Sequence, residues 1–420
     1  MSSRPLIIKK FGGTSVGTIE RIRKVARLAL ESQRAGHDVV LVVSAMAGET
    51  DRLLSLTQQL APLPDAREQD VVAATGEQVS AALVALAIQA EGGAARSLLG
   101  HQVRVLTDSA FSRARIRRVE HGAIHDALEQ GMIPVVAGFQ GVDPHGNLTT
   151  LGRGGSDTSA VALAAALSAD VCEIYTDVEG VYTADPRVCV SSRKLRSISY
   201  EEMLELAALG AKVLHARSVE IAMKYKVPVH VRSTFSNETG TWIVDEERGL
   251  EARTLIGLAC EPRQVRIELA SAERGPELAA RVMELLAARN VSADMMSHVC
   301  SPHDAARTEV VFTLPERDYL LVSEGLDQLG GKPGPHAPRV SRNHAKVSLV
   351  GIGIRSDPGV SARLCRALAL RGIAVSALAM NELRISCLVD ASLADEALRI
   401  LHHEFDLAEE SAPPVLEKSA

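Results

Sequence analysis

Residues 6–17 read LIIKKFGGTSVG, and this stretch decides the fold class. An apolar run and two lysines lead into a glycine pair, and a helical pattern starts near Ile19. A strand that turns through glycines into a helix is typical of α/β sheets. Glycines let backbone N–H groups approach an anion, and the N-terminus of the next helix favours negative charge. Lys10 adds a mobile cation, which indicates a site for a phosphoryl group.

The same alternation of strands and helices continues to about residue 235. Apolar runs of strand type occur at Leu6–Phe11, Val39–Val43, Val103–Leu106, Ile133–Ala137, Val171–Thr176 and Val227–Val231, and helical patterns include Ile19–Ala35, Val71–Gln89 and Thr158–Ala169. This order predicts a mainly parallel sheet with helices on both faces. Between Gly138 and Gly152 the sequence predicts a hairpin that turns at Asp143-Pro144-His145-Gly146.

The rest of the chain contains an internal repeat with an offset of 82 residues. Val265–Leu269 aligns with Val347–Gly351, and Pro276 aligns with Pro358. Each copy predicts a small ferredoxin-like βαββαβ unit, and the stretch GGKPGPHAP at 330–338 predicts a linker between them. The predicted domains are 1–243 for the α/β domain and 257–329 and 343–420 for the two repeats.

Composition narrows the classes of function. The chain has 420 residues, a net charge of −6 and 3% aromatic residues. The negative net charge and the lack of a long basic run argue against nucleic acid or a membrane surface as partner. We expect neither a signal peptide nor a membrane span. The six cysteines are scattered and form no CxxC pair, which favours reduced thiols and a cytoplasmic protein.

A second glycine-rich stretch, TLGRGGSDTSAVALAAAL at 150–167, precedes another helix. We expect Ser156 or Asp157 to cap that helix. Helix capping does not explain Arg153 among three glycines, because a guanidinium fork suits a carboxylate. Glu77 lies near the start of a long apolar helix, where a lone Glu usually compensates the helix dipole. Together with Arg153 it can instead bind the two charged ends of an amino acid.

A third stretch, IYTDVEGVYTADPR at 174–187, follows a predicted buried strand. It is either a plain hairpin loop or a nucleotide cradle, with Tyr182 near the base and Arg187 near the phosphates. Two further patterns carry less weight. Gly351-Ile352-Gly353 lacks the third glycine of a dinucleotide fingerprint, and His298, Cys300 and His303 have no second cluster to complete a metal site.

Taken together, KFGGTSV, VVSAM, TLGRGGSDTSAVALAAAL and YTDVEGVYTADPR resemble the aspartate kinases of the amino-acid kinase superfamily. The resemblance covers nearly the whole chain and implies an amino-acid-kinase-type sheet followed by two ferredoxin-like ACT domains. It implies transfer of the γ-phosphoryl group of ATP to the side-chain carboxylate of L-aspartate, with Mg²⁺ on the nucleotide. That reaction opens the route to lysine, threonine, methionine and isoleucine.

The resemblance also implies roles for individual residues. Lys10 stabilises the transferring phosphoryl group and Asp157 organises the centre. The residues implied for aspartate are Ser44, Thr50, Glu77, Arg153, Gly154, Gly155 and Ser156. Those implied for the nucleotide are Lys10, Gly12, Gly13, Thr14, Thr176, Asp177, Tyr182, Asp185, Arg187 and Lys212. An effector site in the repeats is implied at Ser292, Asp294, Gly359, Val360, Ser361 and Glu382.

The implied partners are a free amino-acid effector, lysine or threonine or both, and a second copy of the chain through the ACT domains. Where relatives carry an asparagine in each repeat, this chain has Ser292 and Ala374. We therefore expect weaker or differently tuned feedback. Two alternatives stay open at this stage, namely a sister kinase for another small anionic acceptor and an inactive amino-acid sensor.

Overall fold

The computed structural model describes residues 4–210, 213–245, 255–271, 276–300, 308–329, 337–352, 354 and 357–408. The chain divides into two compact units. The first contains residues 1–181, 194–208 and 212–248, and the second contains 182–193, 209–211 and 249–420. Lys212, His303, Gly353, most of the predicted linker and part of the loop before the second repeat's helix lie outside the described residues.

The first unit is an α/β structure. Its strands are β1 (Leu6–Phe11), β2 (Asp38–Val43), β3 (Ala95–Leu98), β4 (Val105–Thr107), β5 (Ile116–Val119), β6 (Ile133–Ala137), β7 (Gln140–Val142), β8 (Leu148–Thr150), β9 (Val171–Thr176), β10 (Ser197–Ser199), β11 (Val229–Ser233) and β12 (Thr241–Val244). Its helices are α1 (Ile19–Arg34), α2 (Glu49–Leu60), α3 (Ala66–Ala73), α4 (Thr75–Ala90), α5 (Gly100–Val103), α6 (Gly122–Glu129), α7 (Gly155–Leu167), α8 (Tyr200–Ala208) and α9 (Ala216–Tyr225).

Eight strands form the large sheet in the order β10-β12-β11-β9-β1-β2-β6-β3. Among the described strand pairs of this sheet, β11 with β12 is antiparallel and the others are parallel. The mainly parallel sheet is therefore confirmed. One face packs on α1 and α4 through residues such as Leu41, and α7 packs against β1 on the other side. Because both faces are covered, β2 reads as an unbroken apolar run.

Two local expectations differ from the structure. The strand expected at Val103–Leu106 starts at Val105, after the short helix α5, and joins a separate four-stranded sheet in the order β5-β4-β7-β8. The helix expected over Val71–Gln89 is two helices, α3 and α4, which meet at Ala74. The predicted hairpin is confirmed, since β7 pairs antiparallel with β8 and Gly146 N donates to Asp143 O.

The stretch Ala66–Ala90 is long and apolar enough to cross a membrane by length and composition alone, contrary to the expectation that no segment is. Half of its most apolar window is buried inside the protein. Burial of that extent is what a core helix of a globular sheet shows, and α4 packs on α1 and the large sheet.

A buried ionic cluster lies on the α1 face of the large sheet. Lys9 Nζ is 2.6 Å from Glu173 Oε2, and Arg232 Nη1 is 3.1 Å from Glu173 Oε1. Tyr175 donates its hydroxyl to Glu173 at 3.1 Å and stacks on Phe11. Burial alone would raise the pKa of Glu173, but Lys9 and Arg232 hold it below its usual value. Successive strand residues point to opposite faces, so Lys9 and Lys10 have separate tasks.

The second unit is built on one antiparallel sheet. Its strands are β13 (Gly257–Ser271), β14 (Asp294–Cys300), β15 (Thr308–Pro315), β16 (Arg339–Val350), β17 (Ala377–Met380) and β18 (Arg384–Asp390), and its helices are α10 (Glu277–Ala288), α11 (Glu316–Leu329), α12 (Pro358–Ala369) and α13 (Ala394–Glu404). The strand order is β14-β15-β13-β16-β18-β17. The two predicted helices per repeat are present, and they pack on separate halves of the sheet.

The two repeats share their long strands. Residues 257–261 of β13 pair with 346–350 of β16, and after a register shift 264–268 pair with 339–344. Leu258 is buried with the helices of the second repeat, whereas Val340 packs against the core of the first. The first repeat is thus continuous in sequence, and the second takes its fourth strand from residues that precede the first. The domain limits 257–329 and 343–420 stay predictions. They do not include the pairing of residues 257–261 with the second repeat.

Candidate active site

The glycine pair after β1 is held between the loop that follows β2 and the end of β9. Gly12 N donates to Tyr175 O at 3.2 Å, and Ala47 N donates to Gly13 O at 3.2 Å. A Cβ atom on Gly13 would lie 2.8 Å from Ala45 O. The backbone therefore approaches this closely only because residue 13 has no side chain. These loops lie at the carboxyl ends of the strands, where open α/β sheets bind ligands.

Lys10 and Asp157 form an ion pair at this edge. Lys10 Nζ lies 2.6 Å from Asp157 Oδ1, and the two side chains are 10% and 13% exposed. Lys10 comes from the end of β1, and Asp157 from the first turn of α7. Such a pair places a cation and a carboxylate where an anionic ligand and its counter-ion can meet.

The expected helix cap at Ser156 or Asp157 is wrong. Helix α7 starts at Gly155, its N-cap is Gly154 with a left-handed φ of 70°, and no side chain caps it. Ser156 and Asp157 lie inside the first turn, so the Asp157 carboxylate contacts Lys10 instead of the helix backbone. The first N–H groups of α7 have no side-chain acceptor among the described residues, as expected for a helix end that receives an anion.

Glu77 is a buried carboxylate, and one of its two oxygens has no hydrogen-bond partner among the described residues. It lies in the first turn of α4 and is 3% exposed. Its Oε1 accepts from Ala45 N at 3.0 Å, and its Oε2 is buried without a hydrogen-bond partner in the part of the chain that the structure describes. Burial raises the pKa of Glu77 to about 7, although the Ala45 N–H lowers it in part. A cation delivered to Oε2 would relieve this cost.

The remaining residues predicted for aspartate lie at the same edge. Ser44 follows β2, Thr50 lies in the first turn of α2, and Ser156 is buried in the first turn of α7. Arg153 is exposed, and no acidic side chain pairs with it within the described ranges. Its guanidinium is therefore available to a ligand carboxylate.

Two residues of this site were not found from the sequence. A Cβ on Gly138, directly after β6, would lie 2.8 Å from Ser156 Oγ, so this glycine lets α7 approach the strand end. His215 packs so closely on Gly154 that a Cβ there would lie 2.3 Å from His215 Cβ. Burial lowers the pKa of His215, with Arg217 and Arg153 adding to the effect. The position of Gly138 directly after a buried strand is a sequence signal for its role. No local sequence pattern indicates the role of His215.

The residues predicted for the nucleotide fall in different parts of the chain. Thr14 follows the glycine pair, and Arg21 donates to its carbonyl oxygen at 2.8 Å. Thr176 ends β9 and donates to Asp177 Oδ1 at 3.0 Å. The other described members, Tyr182, Asp185 and Arg187, belong to the second unit, where Arg187 Nη2 lies 2.7 Å from Asp185 Oδ2.

The predicted effector residues lie in the second unit, and Asp294 is already paired there. Lys346 Nζ lies 2.5 Å from Asp294 Oδ2, and Arg384 Nη2 lies 3.0 Å from Asp294 Oδ1. Burial alone would raise the pKa of Asp294, but these cations hold it below its usual value. The remaining predicted residues are Ser292 after α10, Gly359, Val360 and Ser361 in the first turn of α12, and Glu382 between β17 and β18.

The described residues contain no group of three or more His, Cys, Asp or Glu side chains that could hold a metal ion. Of the three residues His298, Cys300 and His303, the side chain of Cys300 and the whole of His303 lie outside the described part.

Comparisons with known proteins give a consistent result. The model of the amino acid kinase family matches residues 5–233, and an ACT domain model matches 347–405. The chain is 46% identical over 404 residues to an aspartokinase of Pseudomonas aeruginosa, covering 96% of this chain and 98% of that one. It is 42% identical over 402 residues to an aspartokinase of Thermus thermophilus, covering 96% and 99%.

Solved structures agree on the fold. The aspartate kinase of Synechocystis is 39% identical with a TM-score of 0.54, covering 97% of this chain and 70% of that one. Escherichia coli aspartokinase III in complex with aspartate and ADP has a TM-score of 0.78 at 23% identity, covering 95% and 99%.

Proposed function

We propose, because the chain belongs to the amino acid kinase family and within it to the aspartokinases, that it transfers the γ-phosphoryl group of ATP to the side-chain carboxylate of L-aspartate, giving 4-phospho-L-aspartate. The observation that carries this proposal is the Lys10–Asp157 ion pair between the glycine pair and the start of α7. The known ligands of relatives, aspartate and ADP in E. coli aspartokinase III, match these chemical classes.

The chemistry requires positioning more than proton transfer. An aspartate side chain has an ordinary pKa of about 3.9, so the nucleophile is ionised at neutral pH and needs no general base. The barrier lies in bringing a carboxylate against a triphosphate in line with the leaving oxygen. Lys10 and the N–H groups around Gly12 and Gly13 offset the repulsion at the transferring group. Asp157 holds Lys10 in place until the phosphates arrive.

The two charged ends of the substrate have matching partners. Glu77 offers an unpaired buried oxygen for the ammonium group, and Arg153 offers a free guanidinium for the α-carboxylate. Binding at both ends leaves the side-chain carboxylate as the only free nucleophile. An uncharged hydroxyl acceptor would satisfy neither partner, so we assign an amino acid as the acceptor.

Mg²⁺ fits the site as a companion of the nucleotide. The described residues form no cluster of three ligands, so most of the ion's coordination would come from phosphate oxygens and water, with Asp157 the nearest carboxylate to Lys10. When bound, the ion neutralises charge on the phosphates. We further propose a cytoplasmic enzyme, in keeping with free cysteines at positions 172, 189, 260, 365 and 387.

The direct test is an initial-rate assay of ADP formation with ATP and Mg²⁺, comparing L-aspartate with L-glutamate and with no acceptor. We expect turnover that depends on L-aspartate. Turnover only with another acceptor would indicate a sister kinase, and no turnover with any acceptor would indicate an amino-acid sensor. Either result overturns the proposal.

Arg153→Lys is expected to raise the KM for aspartate about tenfold or more, with a much smaller change in the KM for ATP. Lysine keeps the charge but loses the fork that grips a carboxylate at two points, and a hydrogen bond to a charged group is worth about 1.5–3 kcal/mol. The matched control is Arg118→Lys, an exposed arginine on β5. A shift in the KM for ATP with an unchanged KM for aspartate contradicts the assignment.

The role assigned to Glu77 predicts a pH dependence. Because burial raises the pKa of Glu77 to about 7, its carboxylate gains charge as the pH rises through that value. The kcat/KM for aspartate, which reports the free enzyme, should therefore rise between about pH 6 and about pH 8. Glu77→Gln should lower kcat/KM and remove this rise. An equal rise in the variant assigns the titration to another group.

We propose that a free amino acid regulates the enzyme through its repeats, which also form the contact between chains. A lysine-bound T-state structure exists for E. coli aspartokinase III. In this chain, an effector ammonium must compete with Lys346 and Arg384 for Asp294. We expect lysine and threonine, alone or together, to leave most of the activity intact at sub-millimolar concentration in the same assay. Strong inhibition there contradicts this expectation.

A further inference from the structure

Residues 182–193 leave the first unit and pack within the second. This 182–193 segment contains Tyr182, Asp185 and Arg187, which the resemblance to the aspartate kinases implies for the nucleotide. The chain returns to the first unit at Lys194. These three residues are thus fixed by contacts that belong to the second unit.

Thr183 is the anchor of the segment. It is fully buried, and its N–H donates to Arg193 O at 2.9 Å while its Oγ1 accepts from Arg193 N at 3.0 Å. Its carbonyl oxygen accepts from Leu258 N at 2.7 Å. A Cβ on Gly257 would lie 2.8 Å from that oxygen, so the start of β13 approaches the segment directly. Every backbone polar group of Thr183 is therefore satisfied, and its position is well determined.

The side chain of Thr183 has one further partner, His402 of α13. His402 Nε2 lies 3.0 Å from Thr183 Oγ1, and His402 is 2% exposed. Burial lowers the pKa of His402, which keeps the ring neutral at neutral pH. A buried imidazole needs a hydrogen-bond partner, and the Thr183 hydroxyl is the partner that the described residues provide.

Apolar contacts hold the rest of the segment against the same helices. Ala184 and Cys189 are buried in one core cluster with Leu364 of α12 and Leu398 of α13. Between them, Val188 N and Cys189 N both donate to Asp185 O, which closes a tight turn. Asp185 and Arg187 therefore project from a turn whose base lies in the core of the second repeat.

We propose that His402 is a positioning residue for the nucleotide, acting through Thr183. By fixing Thr183 it sets the backbone of Tyr182 and of the Asp185–Arg187 turn, so a change at His402 should alter the affinity for ATP. This inference rests on the proposed function, because it takes Tyr182, Asp185 and Arg187 as nucleotide residues. It assigns a role to a residue outside all the predicted sites.

The test compares three variants of the full chain. His402→Leu removes the hydrogen bond and keeps an apolar side chain, His402→Gln keeps a polar group near the position of Nε2, and His403→Leu alters the exposed neighbour on the same helix. We expect His402→Leu to raise the KM for ATP about fivefold, the effect of one lost neutral hydrogen bond. The KM for aspartate and kcat should stay within about twofold. His402→Gln should recover most of the affinity, and His403→Leu should match the wild type.

A double-mutant cycle with Thr183→Val assigns the effect to the contact itself. If both changes act on one hydrogen bond, the double variant should be no worse than the more affected single variant. ADP binding is measured by titration calorimetry without aspartate, so that a result is obtained whether or not the wild type turns over aspartate. Absence of wild-type turnover would count against the proposed function.

Two outcomes overturn the positioning role. The first is a folded His402→Leu variant that binds ADP as the wild type does. The second is a uniform loss of kcat and of both affinities that His402→Gln fails to recover, which a purely structural histidine would produce.

Discussion

Lys10→Ala is expected to lower turnover by about 10²–10³-fold while the chain stays folded. The lysine is the cation at the phosphate cradle, and a preorganised contact to a transferring phosphoryl group acts mainly in the transition state. The loss should therefore appear in kcat and in kcat/KM alike. Initial rates with saturating aspartate and ATP measure it, with circular dichroism as the test of folding.

Asp157 complicates that variant, because removal of Lys10 leaves a carboxylate that is 13% exposed without its cation. Lys10→Met with Asp157→Asn removes both charges and separates the two effects. If Lys10 served only to neutralise Asp157, the double variant would recover activity, and we expect that it does not. The matched control is Lys24→Ala in α1. A folded Lys10→Ala variant within a few-fold of wild type contradicts the phosphoryl role.

Glu173→Ala is expected to destabilise the first unit by about 3–5 kcal/mol, because it leaves Lys9 and Arg232 in the core without their shared anion. Trp242 is the single tryptophan of the chain and lies in β12 of the same unit, so its fluorescence during urea unfolding reports on this unit. Glu201→Ala, an exposed glutamate on α8, is the matched control.

The ionic cluster also predicts a pH effect. The pKa of Glu173 is lowered in the folded chain, so its contribution to stability is present above the ordinary value for glutamate, about 4.3, and is lost as the pH falls through the folded value. Lys9→Met with Glu173→Leu should restore most of the stability at neutral pH and remove this acid dependence. A Glu173→Ala variant as stable as wild type would show that Lys9 is hydrated in the folded state.

The sequence predicted the large sheet because parallel strands buried on both faces leave a local signature. Runs such as Val39–Val43 are apolar throughout, and glycines follow strand ends where backbones meet. Lys10 was singled out from the sequence, whereas the burial of Lys9 against Glu173 was not predicted. The individual site residues were implied by the resemblance to the aspartate kinases and stay predictions.

What the sequence did not reveal depends on contacts between distant residues. His215, far along the chain, packs on the bare backbone of Gly154, the left-handed N-cap of α7. The 182–193 segment reads as a loop next to its own strand, yet its apolar residues belong to a core completed much later in the sequence. Sequence patterns predict strands, helices and turns from periodicity and turn residues. They do not identify the distant residues against which a buried loop packs.

The second repeat takes one strand from residues that precede the first repeat, and this affects how the chain folds during synthesis. During synthesis, residues 257–261 emerge well before 346–350, the strand with which they pair. The first repeat can fold as soon as residue 344 has left the ribosome. Residues 346–350 follow directly, but the helices α12 and α13, with which Leu258 is buried, emerge only later. Such distant pairing folds slowly and is exposed to misassembly in the interval. A gene fragment that starts at residue 263 would therefore lack the strand that pairs with residues 346–350 in its last domain, and one that starts at 255 would include it.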